Sequence, residues 1–423
     1  MSSDELATIL LSGAFEQAAF EERLVMAVGA PKFSRKLAGR VIRHFGSGSR
    51  PSVRVLAEWL ESDRRYQKKQ RRGELQLSGQ ILPAEMAPDM RVAADWKIPS
   101  ITTSGDLAHW LDLPISQMEW FAGDYNSVPA DTKLSHYTVQ TVVKKSGGFR
   151  VLEKPKWQMK QVQRYILHGI LAHLPPHPCS HGFQKNRSIL SYVQPHIGRK
   201  MLIKMDLKDY FLSIERSRVR ALFHLLGYPP LVSVQLAGCC TNRLMLADVP
   251  SGVAQRDRYT VSHLPQGAPT SPALADRLLY RLDLRLHGLA QKMNMDYTRY
   301  ADDFAFSTND SVRRPQVEAF LNLVDQIVRE EGLQLHKTKT SVMHHSQRQR
   351  LAGLVVNEKH NVARGEYDRL RAILHRCGQN GLDAENRNGH PSFFQHLEGR
   401  VEFIRQTNPR RGKKLQGMLD ELV

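Results

Sequence analysis

Cysteine is scarce in this chain, with only Cys179, Cys239, Cys240 and Cys377 among 423 residues. None falls in a C-x-x-C pattern, and adjacent Cys239 and Cys240 rarely bond each other, which argues against a disulfide scaffold or a thiolate metal knuckle. Reduced thiols in a cytoplasmic protein are the simpler expectation. Long apolar runs are missing too. No stretch approaches membrane-spanning length, and the segment Met1 to Glu5 is acidic where a secretory signal is basic. No membrane partner is expected. Acidic residues form the third deficit: 42 Asp and Glu against 60 Lys and Arg leave a net charge of +18. A pI near 9.8 points to a polyanionic partner. Internal repeats and low-complexity segments are also lacking, so a solenoid is excluded.

What is present suits two or three domains, with a hydrophobic fraction of 41% to build their cores. Residues 1–72 read as a small helical unit, in which Leu6, Ile9, Leu10, Phe15, Phe20 and Leu24 recur at helical spacing. It ends in the basic run Arg64 to Arg72. Residues 73–105, with Pro83, Pro88 and Pro99 and no periodicity, read as a linker. Val139 to Leu152 alternates around Lys144-Lys145-Ser146-Gly147-Gly148, a hairpin signal. Trp157 to Leu174 and Arg216 to Leu226 read as helices. From Pro272, the stripe Leu274, Leu278, Leu282, Leu286 and Leu289 predicts one long helix, and Val317 to Val328 another. The tail from Gly365 is largely helical. Strand, helix, hairpin, helix, strand is an α+β pattern with helices on one sheet face.

The chemistry gathers at three places. Tyr300-Ala301-Asp302-Asp303 lies between aromatic, β-prone flanks and reads as a hairpin tip carrying two carboxylates. Like charges that close are costly unless a cation neutralises them. Lys200 to Asp206 reads as a strand ending in a third carboxylate. Leu264-Pro265-Gln266-Gly267-Ala268-Pro269 opens the long helix between them. One acid at a strand end and two on a hairpin are suited to a pair of Mg²⁺ ions for in-line phosphoryl transfer, with Mn²⁺ as a substitute.

That ordered set resembles the palm of a reverse transcriptase, and its flanks resemble the retron-type bacterial branch, over roughly Thr138 to Pro409. The resemblance implies a right-hand polymerase fold of the α+β class: fingers, a palm of antiparallel sheet packed on helices, a helical thumb and a small N-terminal helical domain. Residues 106–345 would be fingers and palm, and 346–423 thumb and C-terminal RNA-binding region. It implies Asp206, Asp302 and Asp303 as metal ligands, with Lys339 (or Lys337, two residues before) as proton donor to pyrophosphate. Asp209 stands past the strand end as a helix cap. Lys144 or Lys145 and Arg150 match the triphosphate grip, Gln266 and Gly267 the sugar site, and Phe211 the ring that excludes a 2′-hydroxyl. Lys154, His196, Phe403, Arg405, Arg410, Arg411, Lys413 and Lys414 are the implied nucleic-acid contacts. Partners would be dNTPs, a cognate non-coding RNA serving as template and as a candidate primer, the cDNA product, and an effector protein encoded nearby. An RNA-linked single-stranded DNA made in antiphage defence is the implied outcome.

Two stretches depart from the retron pattern. The Asn-Ala-x-x-His signature reads Tyr192-Val193-Gln194-Pro195-His196, and Val-Thr-Gly reads Leu351-Ala352-Gly353. Another defence-associated reverse transcriptase is therefore the alternative. From other classes, a basic RNA-binding protein or a palm-type nucleotidyl cyclase also stand, although cyclases lack the Leu-Pro-Gln-Gly string.

Overall fold

Capping chemistry and apolar spacing together set the N-terminal helices. In the computed structural model, which describes residues 2–46, 50–76, 81–87, 96–123, 134–144 and 147–422, Ser2 and Glu5 close a capping box on helix Ser3–Leu10. Ser52 and Asp63 cap Val53–Ser62 and Arg64–Arg71. Gly29, at φ 67, stops Gln17–Val28 in the left-handed conformation that glycine adopts freely. These helices and Pro31–Phe45 bury Leu6, Leu10, Phe20, Leu24, Leu37, Val41, Leu56, Leu60 and Tyr66 in one core. Buried Arg23 donates to the carbonyls of Leu82 and Pro83, tying residues 81–87 to the bundle.

Packing divides the chain into two units, Met1–Pro175 with Asp209–Leu278, and Pro176–Lys208 with Leu279–Val423. The first unit adds to the bundle an antiparallel hairpin of β1 (Tyr137–Val143) and β2 (Phe149–Pro155). It also contains helices Trp157–Gly169, Arg216–Leu225, Pro230–Cys240 and Ser271–Leu278. Helix Pro230–Cys240 is apolar around most of its circumference, so it lies inside. Cys239 and Cys240 are buried on it as free thiols, as are Cys179 and Cys377 elsewhere.

The second unit is built on a four-stranded antiparallel sheet, ordered β4-β5-β3-β6. Its strands are β3 (Met201–Asp206), β4 (Asp296–Tyr300), β5 (Asp303–Thr308) and β6 (Ser341–His344). Covering helices on one face only were expected. Both faces are covered, which is why β5 is buried almost throughout instead of alternating. On one face Tyr297 stacks on Phe306, whose ring meets Phe320 of helix Arg314–Glu330 edge-on at 5.0 Å. On the other, Leu202 and Ala305 join Tyr192, Leu370, Leu397 and Leu415 in a core shared with helices Arg364–Asn380, Phe393–Thr407 and Pro409–Asp420. The single helix expected from Pro272 is two: Ser271–Leu278 and Tyr280–Lys292 are separated at Leu279 (φ −90, ψ 4) and fall in different units. Apolar periodicity runs through a one-residue break without losing phase, so the stripe could not reveal it.

Candidate active site

Register places the carboxylates. Asp206, the last residue of β3, pairs with Asp303, the first of β5, so both side chains leave the sheet on the same face. Ala301 and Asp302 turn the chain from β4 into β5, and the Leu207 amide donates to the Asp302 carbonyl at 2.9 Å. Ala301 adopts φ 55, a left-handed conformation uncommon for a residue with a Cβ. Gly182 allows it: a Cβ there would sit 2.5 Å from the Ala301 nitrogen.

Two lysines neutralise this cluster. Lys339 donates to Asp206 Oδ1 at 2.9 Å. Lys337, the other candidate two residues earlier, instead faces Asp325 at 4.0 Å. The backbone fixes that choice, since the His336 amide donates to the Asp206 carbonyl at 2.7 Å and Lys337–Lys339 form a 3₁₀ turn. Lys204 forms an ion pair with the buried Asp303 Oδ1 at 3.1 Å. Burial, and then the Asp206 charge, push the Asp302 carboxyl up from 3.8 to about 6. Asp303 is also raised by burial, against the pull of Lys204. The donor set is hard oxygen, with two buried carboxyls raised by burial and one of them resisting ionisation, which fits divalent cations. In the present arrangement, no three His, Cys, Asp or Glu side chains converge as a metal cluster among the described residues.

The remaining expected residues are distributed as follows. In the first unit, Gln266 accepts the Glu153 amide at 2.9 Å through its carbonyl. Gly267 has φ 134, and a Cβ would lie 2.8 Å from the Glu153 carbonyl, so only glycine suits this approach. The Glu153 carboxylate is itself buried between His263 Nε2 at 2.8 Å and Asn242 Nδ2 at 2.6 Å. Its charge, working against burial, raises His263. Lys144 and Arg150 are exposed near the turn end of the β1–β2 hairpin, Lys154 bonds Gln140, and Phe211 is half-buried beside Tyr210. Lys145 lies outside the described residues. Asp209 does not cap a helix: it pairs with Arg258 at 3.0 Å.

His196 corrects an expectation. It is 0% exposed, with its two ring nitrogens on Ser307 and Thr298 hydroxyls at 2.7 and 2.8 Å. Burial drops its pKa to about 3, so it is a neutral brace inside the sheet and not a nucleic-acid contact. In the second unit, Phe403, Arg405, Arg410, Lys413 and Lys414 are exposed, while Arg405 pairs with Glu402 and Arg411 lies over the Tyr367 ring at 4.8 Å.

Sequence reasoning missed Lys204 and the buried pair Asp283–Arg299. The first had a signal, a lysine two residues before Asp206 on the same strand face. The second showed only as an arginine between the tyrosines of strand β4.

Comparison with known proteins agrees with this geometry. Residues 142–362 match the family described as reverse transcriptase (RNA-dependent DNA polymerase). The chain is 35% identical over 331 residues to the Retron Mx65 reverse transcriptase of Myxococcus xanthus, covering 78% of this chain and 74% of that one. It is 34% identical over 331 residues to the Retron Mx162 reverse transcriptase of the same organism, covering 75% and 66%. With the Retron Ec86 reverse transcriptase of Escherichia coli it shares 32% over 292 residues, covering 68% and 81%. Both departing stretches, at 192–196 and 351–353, lie inside the matched range and do not remove the chain from the family. The chain therefore belongs to the reverse transcriptases, as an RNA-directed DNA polymerase of the retron type.

Proposed function

We propose that Asp206, Asp302 and Asp303 hold two Mg²⁺ ions, replaceable by Mn²⁺, and that the chain copies a cognate non-coding RNA into cDNA. The observation that carries this reading is the pairing of Asp206 with Asp303 beside an Asp302 carboxyl pushed up to about 6. Bound dications would lower the pKa of a primer 3′-hydroxyl and neutralise charge on the triphosphate. Lys339, within hydrogen-bond reach of Asp206, is suited to give a proton to departing pyrophosphate. Arg150 with Lys144 and Lys145 would grip the triphosphate, where a guanidinium offers the bidentate contact. Gln266 and Gly267 would border the sugar, and the Phe211 ring would exclude a 2′-hydroxyl by bulk. In the right-hand description, 106–345 serve as fingers and palm and 346–423 as thumb and RNA-binding region, after a helical extension at 1–72 and a linker at 73–105. An RNA-linked single-stranded DNA, made in antiphage defence with an effector encoded nearby, completes the reading. The departing stretches at 192–196 and 351–353 bear on this last part alone.

The test uses purified protein, primed RNA, Mg²⁺ and dNTPs. Wild-type protein should extend the primer, and Asp206→Asn should abolish extension while retaining RNA on a filter. Wild-type rates in Asp206→Asn would remove the metal assignment. Sequencing the co-purifying nucleic acid before and after RNase and DNase identifies the template, and recovery of no discrete RNA would count against a cognate partner.

A further inference from the structure

Arg299 is the largest fully buried side chain among the described residues, and it is 0% exposed together with Asp283 of helix Tyr280–Lys292. Its Nε and Nη2 donate to the two Asp283 oxygens at 2.8 and 2.7 Å, and the Tyr297 hydroxyl donates to Asp283 Oδ1 at 2.7 Å. A buried pair of this kind is weak evidence for stability, because two well-packed apolar residues often serve as well. What apolar residues could not supply is a further donor. Arg299 Nη1 reaches the carbonyl of Ala301 at 3.1 Å. Ala301 is the left-handed residue of the turn, at φ 55, a conformation strained for a residue with a Cβ. The Arg299 backbone is fixed as well: its amide donates to the Cys179 carbonyl and its carbonyl accepts from the His181 amide, both at 2.8 Å. Gly182, next in the chain, closes on Ala301 from its nitrogen side.

We propose that Arg299, held by Asp283, is a positioning residue that clamps the Tyr300–Asp303 turn in its left-handed form and so sets where Asp302 and Asp303 present their carboxylates. This rests on the reading of those aspartates as metal ligands. The clamp touches no substrate. Without it, Ala301 relaxes toward a right-handed conformation and carries Asp302 with it. Groups one layer behind metal ligands commonly alter affinity 10–100-fold.

The decisive variant is the double Arg299→Met, Asp283→Leu, which removes both charges together and so avoids the orphaned charge that would unfold either single truncation. It should fold, and melt below wild type by no more than the Tyr297 hydroxyl's lost acceptor accounts for. Three readouts should nonetheless move: kcat down about 10–100-fold with KM for dNTP within about threefold, Mn²⁺ affinity by electron paramagnetic resonance down about tenfold, and faster amide exchange in a peptide covering 296–308. Arg299→Lys keeps a cation for Asp283 but cannot also reach the Ala301 carbonyl. It should fold and shift the same readouts in part, and it stands in if the double variant does not fold. Wild-type exchange and Mn²⁺ affinity in a folded variant would overturn the clamp, even if kcat fell. If wild-type protein neither binds Mn²⁺ nor polymerises, the proposed function fails, and amide exchange alone still decides the clamp.

Discussion

Replacing Asp302 by Asn should stabilise the metal-free protein while it destroys activity. The Asp302 carboxyl ordinarily titrates at 3.8 and is raised to about 6, chiefly by burial and next by the Asp206 charge. Each tenfold change in proton affinity is worth about 1.4 kcal/mol, so ionising this group in the folded state costs about 3 kcal/mol. The sign follows from proton linkage. The folded chain holds the proton more tightly than the unfolded chain, so stability is fully present below pH 4 and is lost as pH rises to about 6. Asparagine keeps the shape and never ionises. In EDTA at pH 7.5, Asp302→Asn should therefore be more stable by up to about 3 kcal/mol. For a unit of 150–250 residues that is about 6–12 °C in Tm. The gap should close by pH 4, and Mg²⁺ should raise the wild-type Tm but not the variant's. Calorimetry across that pH range measures all of this. A variant that melts at or below wild type at pH 7.5, or a gap that persists unchanged to pH 4, would refute the electrostatic account of the site.

Phe211→Ala should let ribonucleotides compete with deoxynucleotides; single-nucleotide incorporation rates measure the ratio, and an unchanged ratio places the gate elsewhere, with Tyr210 the next residue to test. His196→Ala should cost about 1–3 kcal/mol by leaving the Ser307 hydroxyl without its imidazole partner and Thr298 with only the Tyr192 carbonyl, seen in thermal melts, and should leave RNA affinity unchanged; a selective loss of RNA binding would restore its role as a contact. Neutralising Arg410, Arg411, Lys413 and Lys414 together should weaken binding to the co-purifying RNA more than to a generic primer–template at one fixed salt concentration. Equal losses would leave only a general grip on duplex.

Much of the site was legible because it lies on short, strongly patterned strands. Aromatic, β-prone flanks around Asp302 and Asp303 and a strand ending at Asp206 announce a hairpin and its neighbour, and these pair with one another. What pattern could not resolve was contact across elements. Lys337 and Lys339 differ by two positions on a 3₁₀ turn, and only the hydrogen bond from His336 to the Asp206 carbonyl selects between them. Lys204 reaches Asp303 along a sheet diagonal, since its own partner on β5 is Ala305. His196 kept a signature position yet went inside, because the Ser307 and Thr298 hydroxyls that bury it are about a hundred residues away. Helices on the second sheet face escaped notice for a similar reason: uninterrupted burial in β5 reads as aromatic flanks, not as two covering layers.

The strand order β4-β5-β3-β6 also has a consequence during synthesis. Strand β3 is made first yet lies between β5 and β6, and its partner residues, such as Asp303 for Asp206, arrive about a hundred residues later. At about 5–20 residues per second, β3 waits about 5–20 s on the ribosome with two open edges and the apolar sequence Met201-Leu202-Ile203. Both units share this habit, since each is assembled from two separated segments of chain. Neither can be completed until the other has been partly translated, which favours slow, chaperone-assisted maturation over folding one unit at a time.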